Sequence, residues 1–588
     1  MCGIVGYVGS KKALPIVLSG LKFLEYRGYD SAGVAYEYNG EVKIQKEIGR
    51  IKCLEEQIDY SIPTHLSIGH TRWATHGAPS TLNAHPHKVG KFTIVHNGII
   101  ENYKELKDRL ISEGVEFVTE TDSEVVVGLL DYNYKKYKDI LVTIQKTLKE
   151  LEGSYALGII CDDDFEHLYA ARCGSPLIIA SGEDGNYIAS DVPAILEYTN
   201  KYILLDEREF AKISNCKIDV YNLNMVLQDK QLLTFEGSRD SAMLNGYEHY
   251  MLKEIHEEDK VFLDTFNYYV SNNEFKNTMP DFKKYKSIHI VACGSAYYVG
   301  TIGKCLIEKY ADIPVTMEVA SEYRYKKNFY DKTTLVIIIS QSGETADSLA
   351  ALRKAKEDGI DTLAIVNVVG SSISREADFV LYVKAGPEIA VATTKAFLAQ
   401  ATLLSLLAVK LSGKLELLKE FVGLENAIKD VLSRDYKEYA NDIYLKNDAF
   451  FIGRLIDYSL CLEGSLKLKE TSYINSVAFQ AGELKHGTIS LITDGTPVIA
   501  ITTDESIVAK TISNIKEVKA RNAYVLYITN ENVNDTFYDK LIVIPKVHDI
   551  VSPIVSVIPL QLLAYEIAKL RGCDIDKPRN LAKSVTVE

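Results

Sequence analysis

Apolar and polar positions divide the chain into two textures. Over residues 2–235, short apolar runs at 94–96, 157–161 and 177–180 stand between turn clusters such as Asp162-Asp163-Asp164 and Ser181-Gly182-Glu183-Asp184-Gly185. Short apolar runs bounded by Gly, Ser and Asp predict strands. Apolar spacing of three and four residues predicts amphipathic helices over 13–26, 103–114 and 122–134. Many strands with few helices predict an α+β sandwich rather than a βαβ array. Residues 236–250 are polar and turn-rich and read as a linker.

Beyond the linker, strongly apolar, β-branched runs at 288–293, 335–339, 363–366 and 379–383 alternate with helical stretches. Continuous apolar strands of this kind predict a parallel sheet covered on both faces. The pattern then recurs at 450–453, 498–501, 524–528 and 541–544. Val336 and Val498 are 162 residues apart, as are Phe379 and Leu541. The second half is therefore expected to hold two copies of one doubly wound α/β domain, at 251–430 and 431–570, with a tail at 571–588. The copies differ after their second strand. Copy one has Ser340-Gln341-Ser342-Gly343-Glu344-Thr345, a loop suited to an anion; copy two has Thr502-Thr503-Asp504-Glu505-Ser506, whose two carboxylates would repel one.

Composition sets the outer bounds. A chain of 588 residues suggests two to four domains. The net charge of −14 leaves no broad basic footprint for nucleic acid or an anionic membrane. The longest apolar run, 396–409, is interrupted by Gln400 and bounded by Lys395 and Lys410, which is too short for a bilayer. The N-terminus carries no basic leader. Nine scattered cysteines without a CxxC predict a reducing, cytoplasmic setting. Without CxxC or HxxxH spacing, no metal site is expected.

Cys2 becomes N-terminal if Met1 is removed. It then carries a thiol and a free α-amine in one residue, and the amine can act as general base for the thiol. The cluster His70-Thr71-Arg72-Trp73-Ala74-Thr75-His76-Gly77 offers a guanidinium for a carboxylate, beside the only tryptophan. In His96-Asn97-Gly98, the Asn97 amide and the Gly98 N–H suit an oxyanion hole. Asp122 suits a substrate ammonium. Each has a commoner structural reading when taken singly: a surface ion pair for Arg72 and Asp122, a hairpin turn for Asn97-Gly98.

Taken together, Cys2-Gly3-Ile4-Val5-Gly6, Arg27-Gly28-Tyr29-Asp30-Ser31, the His70–Gly77 cluster, Asn83-Ala84-His85-Pro86 and His96-Asn97-Gly98 resemble class II glutamine amidotransferases of the N-terminal-nucleophile hydrolase fold. The resemblance implies Cys2 as nucleophile on the glutamine amide, with Asn97 and Gly98 holding the oxyanion. Arg72 would bind the glutamine α-carboxylate and Asp122 its α-amino group, and Trp73, Thr75 and His76 would line or close the pocket.

In the second half, Ser340 to Thr345 put hydroxyls and backbone N–H groups where a strand turns into a helix, a place suited to phosphate. A helix cap uses the same groups. No Gly-Lys-Ser/Thr is present, so a nucleotide P-loop is excluded and a sugar phosphate fits better. Glu463, Lys467 and Glu470 share one helix face, a spacing that on its own favours a solvated ladder. His486 lies in a Gly-flanked loop, and Lys583 in an apolar tail that can dock. These strings, with Leu462-Glu463-Gly464, Glu483-Leu484-Lys485-His486-Gly487 and the tail from Pro578 to Glu588, resemble the sugar isomerase (SIS) domains of the glutamine–fructose-6-phosphate amidotransferase family.

That resemblance implies L-glutamine and fructose 6-phosphate as substrates, glucosamine 6-phosphate and glutamate as products, internal transfer of ammonia with Trp73 as gate, a homodimer, and no metal, nucleotide or organic cofactor. Ser340, Gln341, Ser342 and Thr345 would bind the phosphate. His486, reaching from a neighbouring subunit, would assist ring opening. Lys583 would form an imine at C2, and Glu470 would move a proton from C1 to C2. Glu463, Lys467 and Lys485 would support the network, and Ser295, Val391 and Ala582 would contact the sugar. Two positions depart from the pattern: Ala296 stands where a Ser is usual, and Glu258-Asp259 where Gln-Pro is usual. Rival readings are another class II amidotransferase, a sugar-phosphate sensor without chemistry, and a bare glutaminase.

Overall fold

A computed structural model describes residues 2–25, 28–73, 77–235 and 243–586. The chain forms two compact units, Met1–Met243 with Ala582–Glu588, and Leu244–Leu581.

The first unit holds an eight-stranded and a seven-stranded sheet, both antiparallel. Strand Gly3–Gly9 lies inside the first, between Leu66–Arg72 and Gly185–Ala189. Strand Phe92–Ile100 lies in the second, beside Gly153–Cys161. Alternate side chains of the two sheets, Ile4, Val8, Ile68 and Ile188 against Val95, Ala156 and Ile160, make one shared core. The other face of the second sheet buries Phe92, Ile94 and Leu157 against helices Tyr103–Ser112, Ser123–Tyr137 and Ile140–Glu150. Helix Ala13–Leu24 covers the first sheet, fitted closely by Gly69, where a Cβ would sit 2.7 Å from Leu21 and Val17. The result is the expected α+β sandwich. Helix Ile140–Glu150 was not anticipated from the sequence; Asp139 opens it by accepting the Val142 N–H at 2.9 Å.

The second unit contains two five-stranded, fully parallel sheets. In chain order their strands are Ser287–Ala292, Val315–Val319, Thr334–Ser340, Thr362–Val366 and Phe379–Tyr382, then Asp448–Gly453, Asn475–Gln480, Pro497–Thr502, Tyr524–Thr529 and Lys540–Val543. Both sheets run 2-1-3-4-5, the doubly wound order. The duplicated pattern thus corresponds to duplicated topology. Sequence reading missed the second strand of each copy, Val315–Val319 and Asn475–Gln480. Each is an edge strand that pairs on one side only and keeps exposed positions, so neither shows a continuous apolar run.

Helices Gly294–Ala311, Lys395–Ser412, Ile456–Ser472 and Ile558–Leu570 share one core that reaches both copies. The segments Lys395–Ser412 and Ser552–Leu570 are long and apolar enough to cross a membrane, yet they are 89% and 83% buried inside the protein, as core helices are. Of the expected linker, 236–242 lie outside the described residues. Helix Tyr250–His256 follows, and the Asp576 carboxylate from the tail accepts the N–H groups of Tyr250 and Met251, both at 2.9 Å.

Candidate active sites

Cys2 immediately precedes strand Gly3–Gly9. Its sulfur accepts the Trp73 N–H at 3.2 Å, and the thiol donates to the Trp73 carbonyl at 3.4 Å. Close strand approach makes this possible. A Cβ on Gly3 would lie 2.7 Å from Leu24 and Thr71, and one on Gly28 would lie 2.7 Å from the Trp73 nitrogen.

Asn97 and Gly98 lie within strand Phe92–Ile100, not at a hairpin turn. The Asn97 Nδ2 donates to the Cys2 carbonyl at 3.1 Å and to Ser190 Oγ at 2.9 Å, while its Oδ1 lies 3.0 Å from His70 Nε2. Gly98 takes φ +131°, and a Cβ there would fall 2.0 Å from the Ser154 carbonyl oxygen. Only glycine suits that position.

Arg72 is buried, and its guanidinium donates to the Gly77 and Ala78 carbonyls at 3.0 and 3.5 Å. Burial lowers its pKa, opposed by the Cys2 thiol and the carboxylates of Asp30 and Asp122. Asp122, also buried, accepts the Ile100 N–H at 2.8 Å and the Ser123 hydroxyl at 3.4 Å. The Trp73 ring meets Tyr29 edge-on at 6.2 Å. Thr75, His76 and Arg27 lie outside the described residues. Sequence reasoning gave no role to His70, although it quoted the residue. It also missed Ser190, which is 93 residues from its partner Asn97 and carries no local signal.

In the second unit, the loop after strand Thr334–Ser340 is folded by its own hydroxyls. Ser340 Oγ accepts the Gly343 N–H at 3.0 Å and lies 3.0 Å from the Thr345 hydroxyl, and Ser342 Oγ accepts the Glu344 N–H at 3.2 Å. Gly343 has φ +65°, with Ser371 Oγ 2.0 Å from where a Cβ would be. Thr345 precedes helix Ala346–Glu357 without a side-chain cap, so the capping reading fails for that residue. Gln341 lends its backbone carbonyl to Asn367 N–H at 3.1 Å.

The ladder on helix Ile456–Ser472 is buried, not solvated. Lys467 Nζ lies 2.6 Å from Glu470 and 3.4 Å from Glu463, and the Glu463 and Lys467 side chains are 0% and 1% exposed. Ser295, from the first copy, donates to Glu463 at 3.0 Å. Burial lifts Glu463 to about 7, with Glu470 pushing the same way and Lys467 and Ser295 opposing. Burial would lower the Lys467 ammonium, but the two carboxylates outweigh it and raise its pKa.

Lys485 and His486 are exposed on a short 3₁₀ turn, and Lys485 lies 3.9 Å from Glu517. Val391 is held in a loop, its N–H donating to the Asp576 carbonyl at 2.9 Å. That loop is further fixed by Glu254, which accepts the Ala390 N–H at 3.1 Å, and by Glu388, which accepts those of Thr394 and Ala396 at 3.0 Å. The tail docks through Arg579, whose N–H donates to the Tyr473 hydroxyl at 2.8 Å. Ala582 and Lys583 are half-buried in the segment grouped with the first unit.

Comparison with known proteins decides the family. A glutamine amidotransferase domain matches residues 77–197, and an SIS domain matches 281–410 and again 442–571. The glutamine–fructose-6-phosphate aminotransferase (isomerizing) of Caldanaerobacter subterraneus subsp. tengcongensis is 48% identical over 611 aligned positions, covering all of both chains. That of Methanosarcina mazei is 45% identical over 621, again with full coverage. This chain belongs to the glutamine–fructose-6-phosphate aminotransferase (isomerizing) family. A solved C-terminal domain of glucosamine-fructose-6-phosphate aminotransferase from Francisella tularensis matches 57% of this chain and all of its own length, at 36% identity and a TM-score of 0.53.

The two departures from the aminotransferase pattern have physical readings. Glu258 is fully buried, and burial pushes its carboxyl well above the ordinary range. A protonated Glu presents one donor and one acceptor, much as the usual Gln does. Ala296 supplies no hydroxyl, and the neighbouring Ser295 hydroxyl is committed to Glu463, so Ser295 does not replace it here.

Proposed function

We propose that this aminotransferase moves the amide nitrogen of L-glutamine to D-fructose 6-phosphate, with ketose-to-aldose isomerisation, giving D-glucosamine 6-phosphate and L-glutamate. The observation that carries the reading is the match over every residue to relatives named for that activity. A bare glutaminase or a sugar-phosphate sensor needs only one half of what is matched.

On the amide side, Cys2 is the nucleophile, with its α-amine as base once Met1 is removed. Its thiol is held between the backbone donor and acceptor of Trp73. Asn97 Nδ2 and Gly98 N–H are the oxyanion donors. Arg72 and Asp122 take the α-carboxylate and α-ammonium of glutamine; their burial next to the nucleophile supports a charged ligand bound out of water. Attack gives a γ-glutamyl thioester and ammonia, and water then releases glutamate.

On the sugar side, the loop Ser340–Thr345 with Gln341 takes the phosphate, and Val391 and Ser295 border the sugar. Glu470, which is half-buried and paired with Lys467, moves the proton between C1 and C2. Glu463 and Lys467 set its charge. Lys583 forms the C2 imine, a role that rests on the family alone, as do those of Ala582 and Lys485. The exposed position of His486 supports its service to a neighbouring subunit in a cytoplasmic homodimer.

Purified protein incubated with glutamine and fructose 6-phosphate is expected to yield amino-sugar phosphate and glutamate in equal amounts. Glutamate alone would leave only the glutaminase half standing. Tight sugar-phosphate binding without turnover would point to a sensor. Cys2→Ala should abolish glutamine-dependent synthesis and spare fructose 6-phosphate binding. Lys583→Ala should abolish borohydride trapping of the sugar; persistent trapping would assign the imine to another lysine.

A further inference from the structure

Beneath Cys2 lies a cluster of four buried histidines, His70, His85, His87 and His96. Among the described residues no group suited to a metal ion is present, so the cluster needs another account. The His70 and His85 rings stack at 4.1 Å and 23°, and His85 meets His87 edge-on at 4.4 Å. His85 Nδ1 accepts the His96 N–H at 3.3 Å, and His96 Nδ1 lies 2.8 Å from the Ser123 hydroxyl. Strand pairing sets His70 opposite Ile4, two residues from the nucleophile. Burial drives the His70 pKa down to about 3, and nearby Arg72 pushes the same way. The ring is neutral, so one nitrogen alone carries a proton.

The surroundings decide which nitrogen it is. His70 Nε2 lies 3.0 Å from the His96 backbone carbonyl. A carbonyl oxygen only accepts, so Nε2 must be the donor. Nδ1, which has no hydrogen-bond partner, is then the bare nitrogen. The same Nε2 lies 3.0 Å from one end of the Asn97 carboxamide, and that end must therefore be the oxygen. The NH₂ end is left facing the Cys2 carbonyl and Ser190. A fixed backbone group thus sets a tautomer, and the tautomer together with the acceptor-only Cys2 carbonyl sets the amide orientation.

We propose that His70 is a positioning residue for glutamine cleavage: its Nε2–H, fixed by the His96 carbonyl, holds Asn97 Oδ1 and so keeps the Asn97 NH₂ turned toward the nucleophile, where the oxyanion forms. Without that donor the amide is held only by the Cys2 carbonyl and Ser190, and it turns over more readily to present oxygen to a developing negative charge. This inference rests on the reading of Asn97 as an oxyanion donor.

The test uses the full-length protein and four variants, Asn97→Ala, His70→Leu, His70→Gln and the double variant. It measures kcat and KM for glutamine hydrolysis and the rate of Cys2 alkylation by iodoacetamide. A Gln side chain can place an N–H near the Nε2 position; Leu cannot. Loss of one oxyanion donor costs about 10²–10³ in kcat. His70→Leu is expected to lose about 10-fold or more in kcat, with KM within about threefold and alkylation within about twofold of the parent. His70→Gln should recover most of the loss. The double variant should be no slower than Asn97→Ala, because His70 acts through Asn97. Equal losses in the Leu and Gln variants, a fall in alkylation matching the fall in kcat, or additive losses in the double variant would overturn the proposal. If His70→Leu does not fold, His70→Ala takes its place in the same three comparisons, with His70→Gln as the rescuing variant. Should Asn97→Ala itself retain full kcat, the oxyanion reading fails first.

Discussion

Glu463→Gln should make the protein more stable, by a gain that grows from about pH 4.5 and is complete above neutral pH. Glu463 is a fully buried carboxyl whose folded-state pKa is about 7, against an ordinary value of 4.5. Below about pH 4.5 the group is protonated whether the chain is folded or not, and it costs nothing. Between 4.5 and 7 the unfolded chain releases the proton and the folded chain keeps it, so stability falls as pH rises. Above 7 the full cost is present. At about 1.4 kcal/mol per pH unit, that interval converts to about 3 kcal/mol. Glutamine resembles the protonated acid and keeps an acceptor for Ser295, so it escapes the cost. The second unit spans about 340 residues. With an unfolding entropy of about 2 cal/mol/K per residue, 3 kcal/mol becomes a rise in Tm of about 4–5 °C at pH 8. Thermal unfolding of parent and variant at pH 4.5 and pH 8 checks this, alongside a fall in sugar turnover. An unchanged Tm at pH 8, or an equal gain at both pH values, would refute the reasoning.

Three further outcomes are expected. Gly98→Ala forces a Cβ to 2.0 Å from the Ser154 carbonyl at φ +131°; glutamine hydrolysis should fall more than about 10²-fold, read by glutamate release, while fructose 6-phosphate binding is retained. Gly343→Ala brings a Cβ to 2.0 Å from the buried Ser371 hydroxyl in the anion loop, and calorimetric titration should show fructose 6-phosphate affinity down by about tenfold or more, or about 1.4 kcal/mol, with the Cys2 alkylation rate unchanged. Asp576→Ala removes the acceptor for two N–H groups of helix Tyr250–His256; the urea midpoint should drop by an amount equivalent to about 1–2 kcal/mol.

Much of the architecture was legible because strand and helix periods are local. Eight of the ten strands in the two parallel sheets, and the repeat itself, follow from apolar runs; Val315–Val319 and Asn475–Gln480 do not, because an edge strand can stay half-exposed. The site was less legible. Glu463, Lys467 and Glu470 have the spacing of a solvated ladder, and nothing within helix Ile456–Ser472 states that other helices bury it. Asn97-Gly98 is a common turn dipeptide, yet here it continues a strand whose Gly98 is pressed against Ser154. Only chemistry with a strong residue signature, the Cys2 thiol and the hydroxyl-rich loop, stands out before folding.

The two sheet copies share one topology but differ in the loop that follows the third strand. In copy one, the loop after the third strand in chain order keeps its hydroxyls close to a helix N-terminus. In copy two, the Asp457 carboxylate accepts both the Thr503 N–H at 3.0 Å and its hydroxyl at 2.5 Å. That carboxylate is buried and lifted by burial to about 6, with Thr503 pulling it back down. The donors that a phosphate would need are already taken by an anion built into the chain. Copy two is therefore unsuited to phosphate, but its first helix is free to carry Glu463, Lys467 and Glu470. Copy one keeps the anion loop, and on helix Gly294–Ala311 Thr301 and Cys305 stand at the places of Glu463 and Lys467, with Glu308 at that of Glu470; its Ser295 donates to Glu463. The Ser295–Glu463 hydrogen bond joins two copies that share a topology but carry different side chains at equivalent places.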